Sequence, residues 1–254
     1  MFSGDITVEQ ARALAEQAFG AWNASAAAPE VAARAGAALP PRVVVIDQPG
    51  AGQAAVFVAQ RSIARDDEDY FPLTLGNTLL GGSFTSRLNQ EIRIKRGLSY
   101  GTRSGLGVRL DTGTFTASAQ TRNDAAVEVA DLILAELTRL AATRPTESEM
   151  TTRQAILTGA FGSSLETVDG LGSLVASLAL YDLPMSELAA YAGRVRAITP
   201  EQVQAAFAEH LPTSDASLVI VGDASIFLEA LRARYPDVEV MPLSGLNLDS
   251  ATLR

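Results

Sequence analysis

Residues 77–105 read NTLLGGSFTSRLNQEIRIKRGLSYGTRSG, and this stretch decides how the surrounding sequence folds. Gly81-Gly82-Ser83 breaks one predicted helix, and Gly97 stands where a glycine is preferred just after a helix C-terminus. A second helix is therefore predicted from about residue 84 to residue 96. A strand is predicted to follow over residues 99–110, so both turns of this helix–strand unit depend on glycine.

The same stretch carries a dense set of polar side chains. Arg87, Glu91 and Lys95 have the spacing i, i+4, i+8, which predicts a solvated row of ion pairs on one helix face. Arg93 falls in the last helical turn and Tyr100 just after the glycine turn, so the chain reversal is expected to bring both side chains to the same edge. A guanidinium and a phenol are hydrogen-bond donors that hold and polarise a substrate, but they generate no nucleophile.

Outward from this stretch, the hydrophobic pattern predicts a sheet covered by helices. Further strands are predicted at residues 42–47, 53–60, 114–121 and 217–221. Further helices are predicted at residues 7–22, 66–80, 124–142, 146–165, 168–181, 186–198, 199–209 and 226–235. Thr7, Thr146 and Thr199 each precede Glu or Gln by three residues, which is the spacing of a capping box. We predict the α+β class, a two-layer sandwich in which a mixed or antiparallel sheet of about five or six strands is covered on one face by helices.

The chain is expected to divide into four parts. Residues 1–22 form a strand–helix remnant of a preceding homologous half, because the Gly-Asp turn before the first helix is repeated before the last one. Residues 23–41, rich in Ala and Pro, are expected to form a linker. Residues 42–235 form the main domain, and residues 236–254 form a C-terminal tail.

Composition excludes several kinds of chemistry. The 254 residues include no Cys and a single His, which rules out a thiol nucleophile, an iron–sulfur cluster and a Cys/His zinc site. The net charge of -9, from 29 acidic and 20 basic residues, argues against a nucleic-acid partner. No apolar run is long enough to predict a membrane span.

The remaining candidate catalytic or metal-binding residues are His210 and the acidic run at residues 66–69, and both are expected to have structural roles. His210 is predicted to lie at a helix C-terminus, where the helix dipole favours it, and no Gly-x-Ser-x-Gly motif accompanies it. The run Asp66-Asp67-Glu68-Asp69 lacks the alternate spacing and central glycine of a calcium loop, and it is predicted to form a helix N-terminus. We therefore expect no metal site in this chain.

In residues 77–105 the sequence resembles the pitrilysin/insulinase family of zinc peptidases, which includes the mitochondrial processing peptidase. The signature positions are Gly81, Gly82, Ser86, Arg87, Arg93, Gly97 and Tyr100. Ile94 departs from the pattern, because members often carry a glutamate there. The resemblance extends more diffusely over nearly the whole chain, and it is to the half of such proteins that lacks the inverted zinc motif His-x-x-Glu-His.

The resemblance implies the non-catalytic half of a zinc-dependent metalloendopeptidase, which closes a chamber around a peptide substrate. It implies that Arg93 binds the substrate backbone and that Tyr100 donates to the carbonyl under attack. No activity and no zinc are expected of this chain alone, because zinc is expected in a homologous catalytic half of the same polypeptide or of a separate subunit.

The alternative is a scaffold or assembly module of the same fold with no role in proteolysis, as in the core subunits of the respiratory cytochrome bc complex. We favour the bacterial periplasm over the cytoplasm, since a chain without cysteine is compatible with an oxidising compartment.

Overall fold

The computed structural model describes residues 1–22, 39–250 and 252–254, so the predicted linker lies largely outside the described residues. The strands within these ranges are β1 (Val43–Asp47), β2 (Ala54–Ser62), β3 (Thr102–Val108), β4 (Gly113–Thr121), β5 (Ser217–Gly222) and β6 (Glu239–Pro242). The α helices are α1 (Val8–Phe19), α2 (Tyr70–Leu80), α3 (Ala126–Ala142), α4 (Glu147–Leu165), α5 (Val168–Leu180), α6 (Ser186–Ala197), α7 (Pro200–His210) and α8 (Ala224–Arg234). Asn89–Ile94 form a short π-helix.

All six strands belong to one mixed sheet in the order β3-β4-β2-β5-β1-β6. β1 runs parallel to both β5 and β6, with Val45 opposite Ile220 on one side and Val240 on the other. β2, β3 and β4 pair antiparallel, and β2 joins them to β5 in the same antiparallel sense. The predicted α+β class with a mixed sheet is confirmed.

The helices lie on one face of this sheet because its strands bury alternate residues. In β4, Phe115 and Ala117 are fully buried under the helices, whereas Thr116 between them is exposed. Phe207 of α7 and Phe227 of α8 fill the same core. The sheet therefore has one face packed against helices and a second face that faces away from them.

The second face is covered only in part. Over β1 and β6, Val44, Ile46 and Met241 pack with Leu246 and Leu253 from the C-terminal residues. Over β2, β3 and β4 no such cover lies among the described residues, and Phe57 is 40% exposed there. This free part of the sheet lies beside the stretch that carries the family signature.

The sixth strand lies beyond the range 42–235 from which we expected the sheet. β6 has only four residues and pairs with β1 at the sheet edge, so its sequence carries too short a pattern to predict a strand. The Arg42 guanidinium donates to both carboxylate oxygens of Glu239 at 2.7 and 2.9 Å, and this bond ties the two strands together.

The N-terminal segment forms the predicted helix but not the predicted strand. Thr7 forms the predicted capping box with Gln10, but α1 buries none of its residues within the described chain. Residues 1–6 form no strand, because this segment lies against α5, where Ser3 Oγ donates to the Val168 carbonyl at 3.1 Å. The repeat of the Gly-Asp turn is also incomplete, because Asp223 itself caps α8 whereas the corresponding Asp5 does not cap α1.

Three predicted boundaries near the signature are wrong by several residues. The helix predicted from about residue 84 begins at Arg87 and continues as the π-helix Asn89–Ile94. α2 begins at Tyr70 rather than at residue 66, because Asp67 Oδ1 accepts the Asp69 N–H at 2.9 Å and keeps the preceding residues in a turn. β3 begins at Thr102 rather than at residue 99, so Tyr100 lies in a loop. In the part of the chain that is described, no helix combines the length and apolarity needed to cross a membrane.

Candidate functional site

The start of the loop that carries Tyr100 is fixed by three hydrogen bonds to backbone carbonyls. Gly97 has a φ of 62°, and its N–H donates to the Arg93 carbonyl at 3.0 Å, which ends the helical segment as predicted. The next amide, Leu98 N–H, donates to the Ile92 carbonyl at 2.9 Å, and Thr121 Oγ1 donates to the Leu98 carbonyl at 2.6 Å. The chain therefore reverses at a defined place between the π-helix and β3.

Asn89 joins the π-helix to the start of β3. Its side chain is buried, its Nδ2 donates to the Thr102 carbonyl at 2.9 Å, and its Oδ1 accepts the Thr102 N–H at 3.1 Å. Asn89 Nδ2 also donates to Ser86 Oγ at 3.2 Å, and Ser86 is completely buried. These bonds hold the Tyr100 loop against the segment that carries Arg93.

The glycine pair before the π-helix permits a close approach of backbones. A Cβ atom on Gly81 would lie 2.4 Å from the Ser104 amide nitrogen, and one on Gly82 would lie 2.9 Å from Thr78 Cα. A side chain at Gly81 would push α2 away from β3. A side chain at Gly82 would clash with the last turn of α2. Gly81 and Gly82 therefore permit the close packing of the segments around the site.

Arg93 and Tyr100 lie together, with a second aromatic ring beside them. The Arg93 Cζ atom lies 4.8 Å from the centre of the Tyr100 ring and 4.4 Å from the centre of the Phe84 ring. Both distances are within the range of a cation–π interaction. Arg153 keeps the Phe84 segment in place, because its guanidinium donates to the adjacent Thr85 carbonyl at 2.6 Å.

The arrangement presents an unused donor to solvent, the Tyr100 hydroxyl, beside the half-buried Arg93 side chain. Tyr100 is 90% exposed, and its hydroxyl has no hydrogen-bond partner among the described residues. Within the same ranges the Arg93 guanidinium has no carboxylate partner. An exposed phenol beside a half-buried guanidinium can donate hydrogen bonds to carbonyl or carboxylate oxygens, and the pair offers no basic group.

Arg87 does not belong to the predicted ion-pair row. It turns to α4, where its Nε and Nη2 donate to the two carboxylate oxygens of Glu149 at 2.8 and 3.0 Å. Lys95 does pair with Glu91, as the i, i+4 spacing predicts. The row prediction is therefore wrong for Arg87, because a bidentate partner on α4 is available and the guanidinium is largely buried there.

The Glu149 carboxyl is strongly perturbed by this contact. Partial burial by itself would raise the pKa of Glu149, but the hydrogen bonds from Arg87 and from the Thr146 N–H, with the positive charge of Arg87, lower it to about 2. Glu149 is also the third residue of the capping box of Thr146. Arg87 therefore has a structural role, tying the signature segment to the start of α4.

A groove of about 480 Å³ adjoins Tyr100 on the free face of the sheet. Its lining includes Phe57 of β2, Arg103 of β3, and the amide side chains Gln53 and Gln120. The groove is continuous with the exposed face of the Tyr100 loop. A segment bound there would therefore lie within reach of the tyrosine.

His210 is the last residue of α7, as predicted, and it lies 3.0 Å from Asp69 through Nε2 and Oδ2. Among the described residues, Asp67, Asp69 and His210 form the group of His, Asp and Glu side chains whose ligand atoms lie within 4.8 Å of one another. These residues do not fit the zinc site of the resembled family, which needs two histidines, whereas the chain has one. In addition, the His210 nitrogen and an Asp69 oxygen face each other rather than a shared ligand.

Two residues of the site, Phe84 and Asn89, are not predicted from the sequence. Phe84 lay at the predicted helix start and gave no signal, since an aromatic there also suits packing. The sequence does contain a signal for Asn89. It stands three residues before Ile92 on the buried face of the helix, and a polar residue in that place needs hydrogen-bond partners.

The mixed sheet with one helical layer and the glycine-rich signature segment together indicate a peptidase-like domain. The chain belongs to the peptidase M16 inactive domain family, whose profile matches residues 1–157. The resemblance in residues 77–105 to the zinc peptidases is thereby confirmed.

Curated relatives of the chain are named as zinc proteases. The chain is 31% identical over 153 residues to an uncharacterized zinc protease of Streptomyces coelicolor, which covers 60% of this chain and 33% of the relative. It is 33% identical over 116 residues to an uncharacterized zinc protease of Mycobacterium leprae, covering 46% of this chain and 26% of the relative. The chain thus spans a third or less of the length of the curated relatives that it matches.

Solved structures share the fold. The peptidase M16 inactive domain from Pseudomonas fluorescens superimposes with a TM-score of 0.74 at 31% identity, over 86% of this chain and 52% of that one. A protease from Helicobacter pylori gives a TM-score of 0.75 at 19% identity, over 86% of this chain and 54% of that one. The periplasmic protease PqqL from Escherichia coli gives 0.66 at 18% identity, over 86% of this chain and 24% of that one.

Proposed function

We propose that this chain is the non-catalytic half of a zinc metalloendopeptidase. In this role it closes the chamber and binds the peptide substrate, while a homologous half with His-x-x-Glu-His holds the zinc. The observation that carries the proposal is the Arg93–Tyr100 pair, an exposed phenol beside a half-buried guanidinium, whose donors make no hydrogen bond within the described residues. A scaffold with no role in proteolysis has no need of such a pair.

The two side chains divide the work by their chemistry. Arg93 holds the substrate backbone, because its planar guanidinium offers several N–H groups in a fixed arrangement. Tyr100 donates its O–H to the carbonyl oxygen of the scissile bond, where negative charge develops during hydrolysis. A donor that is already in place there stabilises the transition state without reorganisation. The rings of Phe84 and Tyr100 keep the guanidinium in position.

The test is to mix this chain with a homologous half that carries His-x-x-Glu-His, from the same gene or a neighbouring one, and to measure peptide cleavage and zinc content. We expect cleavage only in the mixture, and stoichiometric zinc only where the second half is present. Cleavage by this chain alone, or one tightly bound zinc per chain, would contradict the proposal. If the zinc-bearing half cleaves peptides equally well without this chain, the result would support the scaffold alternative.

The proposal includes a periplasmic location. It is supported by the lack of cysteine and by the periplasmic protease among the proteins of similar fold. Fractionation of the source cells tests it, with recovery in the periplasmic fraction as the expected result and recovery in the cytoplasmic fraction as the contradicting one.

A further inference from the structure

The groove beside Tyr100 owes its shape to the register of the sheet. Arg103 of β3 lies opposite Ser118 of β4, and Ser118 lies opposite Phe57 of β2, so the three side chains form one row on the free face. Ser118 and its neighbour Ala55 are small. They leave a depression between the larger side chains of Phe57, Arg103 and Tyr100.

The charge in this groove differs from the charge of the whole chain. The sequence has 29 acidic and 20 basic residues, yet Arg103 is the one charged residue among the described residues that line the groove. Arg103 is exposed, and its guanidinium makes no ion pair within the described chain. An acidic protein therefore presents a positively charged groove at this place.

We propose that the groove binds an extended peptide through a carboxylate recognised by Arg103, with an apolar side chain of the same peptide on Phe57. The inference rests on the proposed function, because it names the kind of substrate whose carbonyl oxygen meets Tyr100. A guanidinium donates two parallel hydrogen bonds to a carboxylate and repels a lysine. The shared chemistry is a carboxylate, either of an acidic side chain or of a peptide C-terminus.

The dimensions agree with a peptide that lies across the strands. Arg103 and Phe57 are separated by two strand spacings, or roughly 9.5 Å. Side chains i and i+2 of an extended peptide lie on the same face roughly 6.6 Å apart, and the flexible arginine side chain spans the remaining distance. A peptide with an apolar residue two positions from the carboxylate therefore fits this row.

Binding of short peptides to the whole chain tests the inference by isothermal titration calorimetry. The first three probes are acetylated, amidated alanine-based peptides with one Phe and, two positions on, Glu, Gln or Lys. We expect the Glu peptide to bind about fivefold more tightly than the Gln peptide, and the Lys peptide to bind least well. A fourth, otherwise neutral peptide has a free C-terminus, and tighter binding of this one alone assigns the carboxylate to the substrate terminus.

Charge reversal provides the control. Arg103→Glu is expected to reverse the preference, so that the Lys peptide binds more tightly than the Glu peptide. Arg232→Glu, which changes an exposed arginine in the last turn of α8, is expected to leave the preference unchanged. Equal binding of all the peptides, no binding, or a preference that survives Arg103→Glu overturns the inference. The proposed function fails separately, since the mixing of the two halves does not depend on the charge of the peptide.

Discussion

The Arg93 guanidinium is held by two aromatic rings rather than by a carboxylate. Its Cζ lies 4.4 Å from the Phe84 ring centre and 4.8 Å from the Tyr100 ring centre, so its N–H edge stays available to a ligand. A carboxylate in the place of either ring would occupy those N–H groups. The exposed aromatic surface of Phe84 and Tyr100 is consistent with holding a positive charge at the protein surface.

Phe84→Ala tests whether this ring positions Arg93. We expect KM of the two-half enzyme to rise about three- to fivefold with little change in kcat, since an exposed cation–π contact contributes about 0.5–1 kcal/mol. Arg93→Ala should raise KM further. Phe84→Tyr keeps an aromatic ring and is expected to restore the parent KM. A rise in KM that Phe84→Tyr fails to restore would contradict the positioning role.

Among the elements, the contact between α2 and β3 depends on a missing side chain. Gly81→Ala places a Cβ 2.4 Å from the Ser104 amide nitrogen, so we expect a loss of about 1–3 kcal/mol in the free energy of unfolding. Gly101→Ala is the matched control, because nothing lies within 4 Å of its Cβ position. Urea unfolding measures both variants, and equal stabilities would show that the close approach is unimportant.

The contact between the signature segment and α4 predicts a dependence on pH. The pKa of Glu149 is about 2 in the folded chain against an ordinary 4.5, so its stabilising effect is fully present above about pH 4.5 and is lost as the pH falls towards 2. Glu149→Gln should lower stability at neutral pH and flatten the acid dependence in that window. Chemical unfolding at pH 2.5–6 measures this, and an unchanged slope in Glu149→Gln would contradict it.

The elements that the sequence predicted well are those determined by neighbouring residues. Thr7, Thr146 and Thr199 form capping boxes with residues three positions on, and their helices begin where predicted. The errors concern contacts between distant residues. Arg87 pairs with a glutamate 62 positions away, and Asn89 bonds to Thr102 across the chain reversal. Local spacing carries no information about such partners.

The same distinction holds for the site. The glycine turn was sufficient to predict that Arg93 and Tyr100 lie near each other, because a chain reversal is a local event. The ring of Phe84 and the groove on the free face were not predicted, because they depend on packing and on strand register. Phe57, Ser118 and Arg103 come from three separate strands, and only the folded sheet aligns them.

In the whole molecule, α1 and the residues just after it present apolar side chains that the described chain does not bury. Leu14 is 48% exposed, Phe19 is 59% exposed, and Trp22, the one tryptophan of the sequence, is 77% exposed. Exposed apolar side chains of this kind are typical of interaction surfaces. On the proposed function, we expect the zinc-bearing half to cover them.

Trp22 fluorescence measures that contact directly. The chain alone should emit at the wavelength of a solvent-exposed tryptophan, and addition of a zinc-bearing half without tryptophan should shift the emission to shorter wavelength. Arg232→Glu, a substitution far from α1 in the sequence, is the control and should leave the shift of the Trp22 emission unchanged. An emission wavelength that stays the same while the halves associate would show that α1 is not part of the interface.

Tyr100→Phe in the two-half enzyme tests the central claim most directly, with kcat and the thermal midpoint measured on the same preparation. Tyr100 is 90% exposed, so removal of its hydroxyl should leave the thermal midpoint unchanged. Loss of a donor to the developing oxyanion should lower kcat about 100- to 1000-fold. An unchanged kcat in Tyr100→Phe would contradict the account.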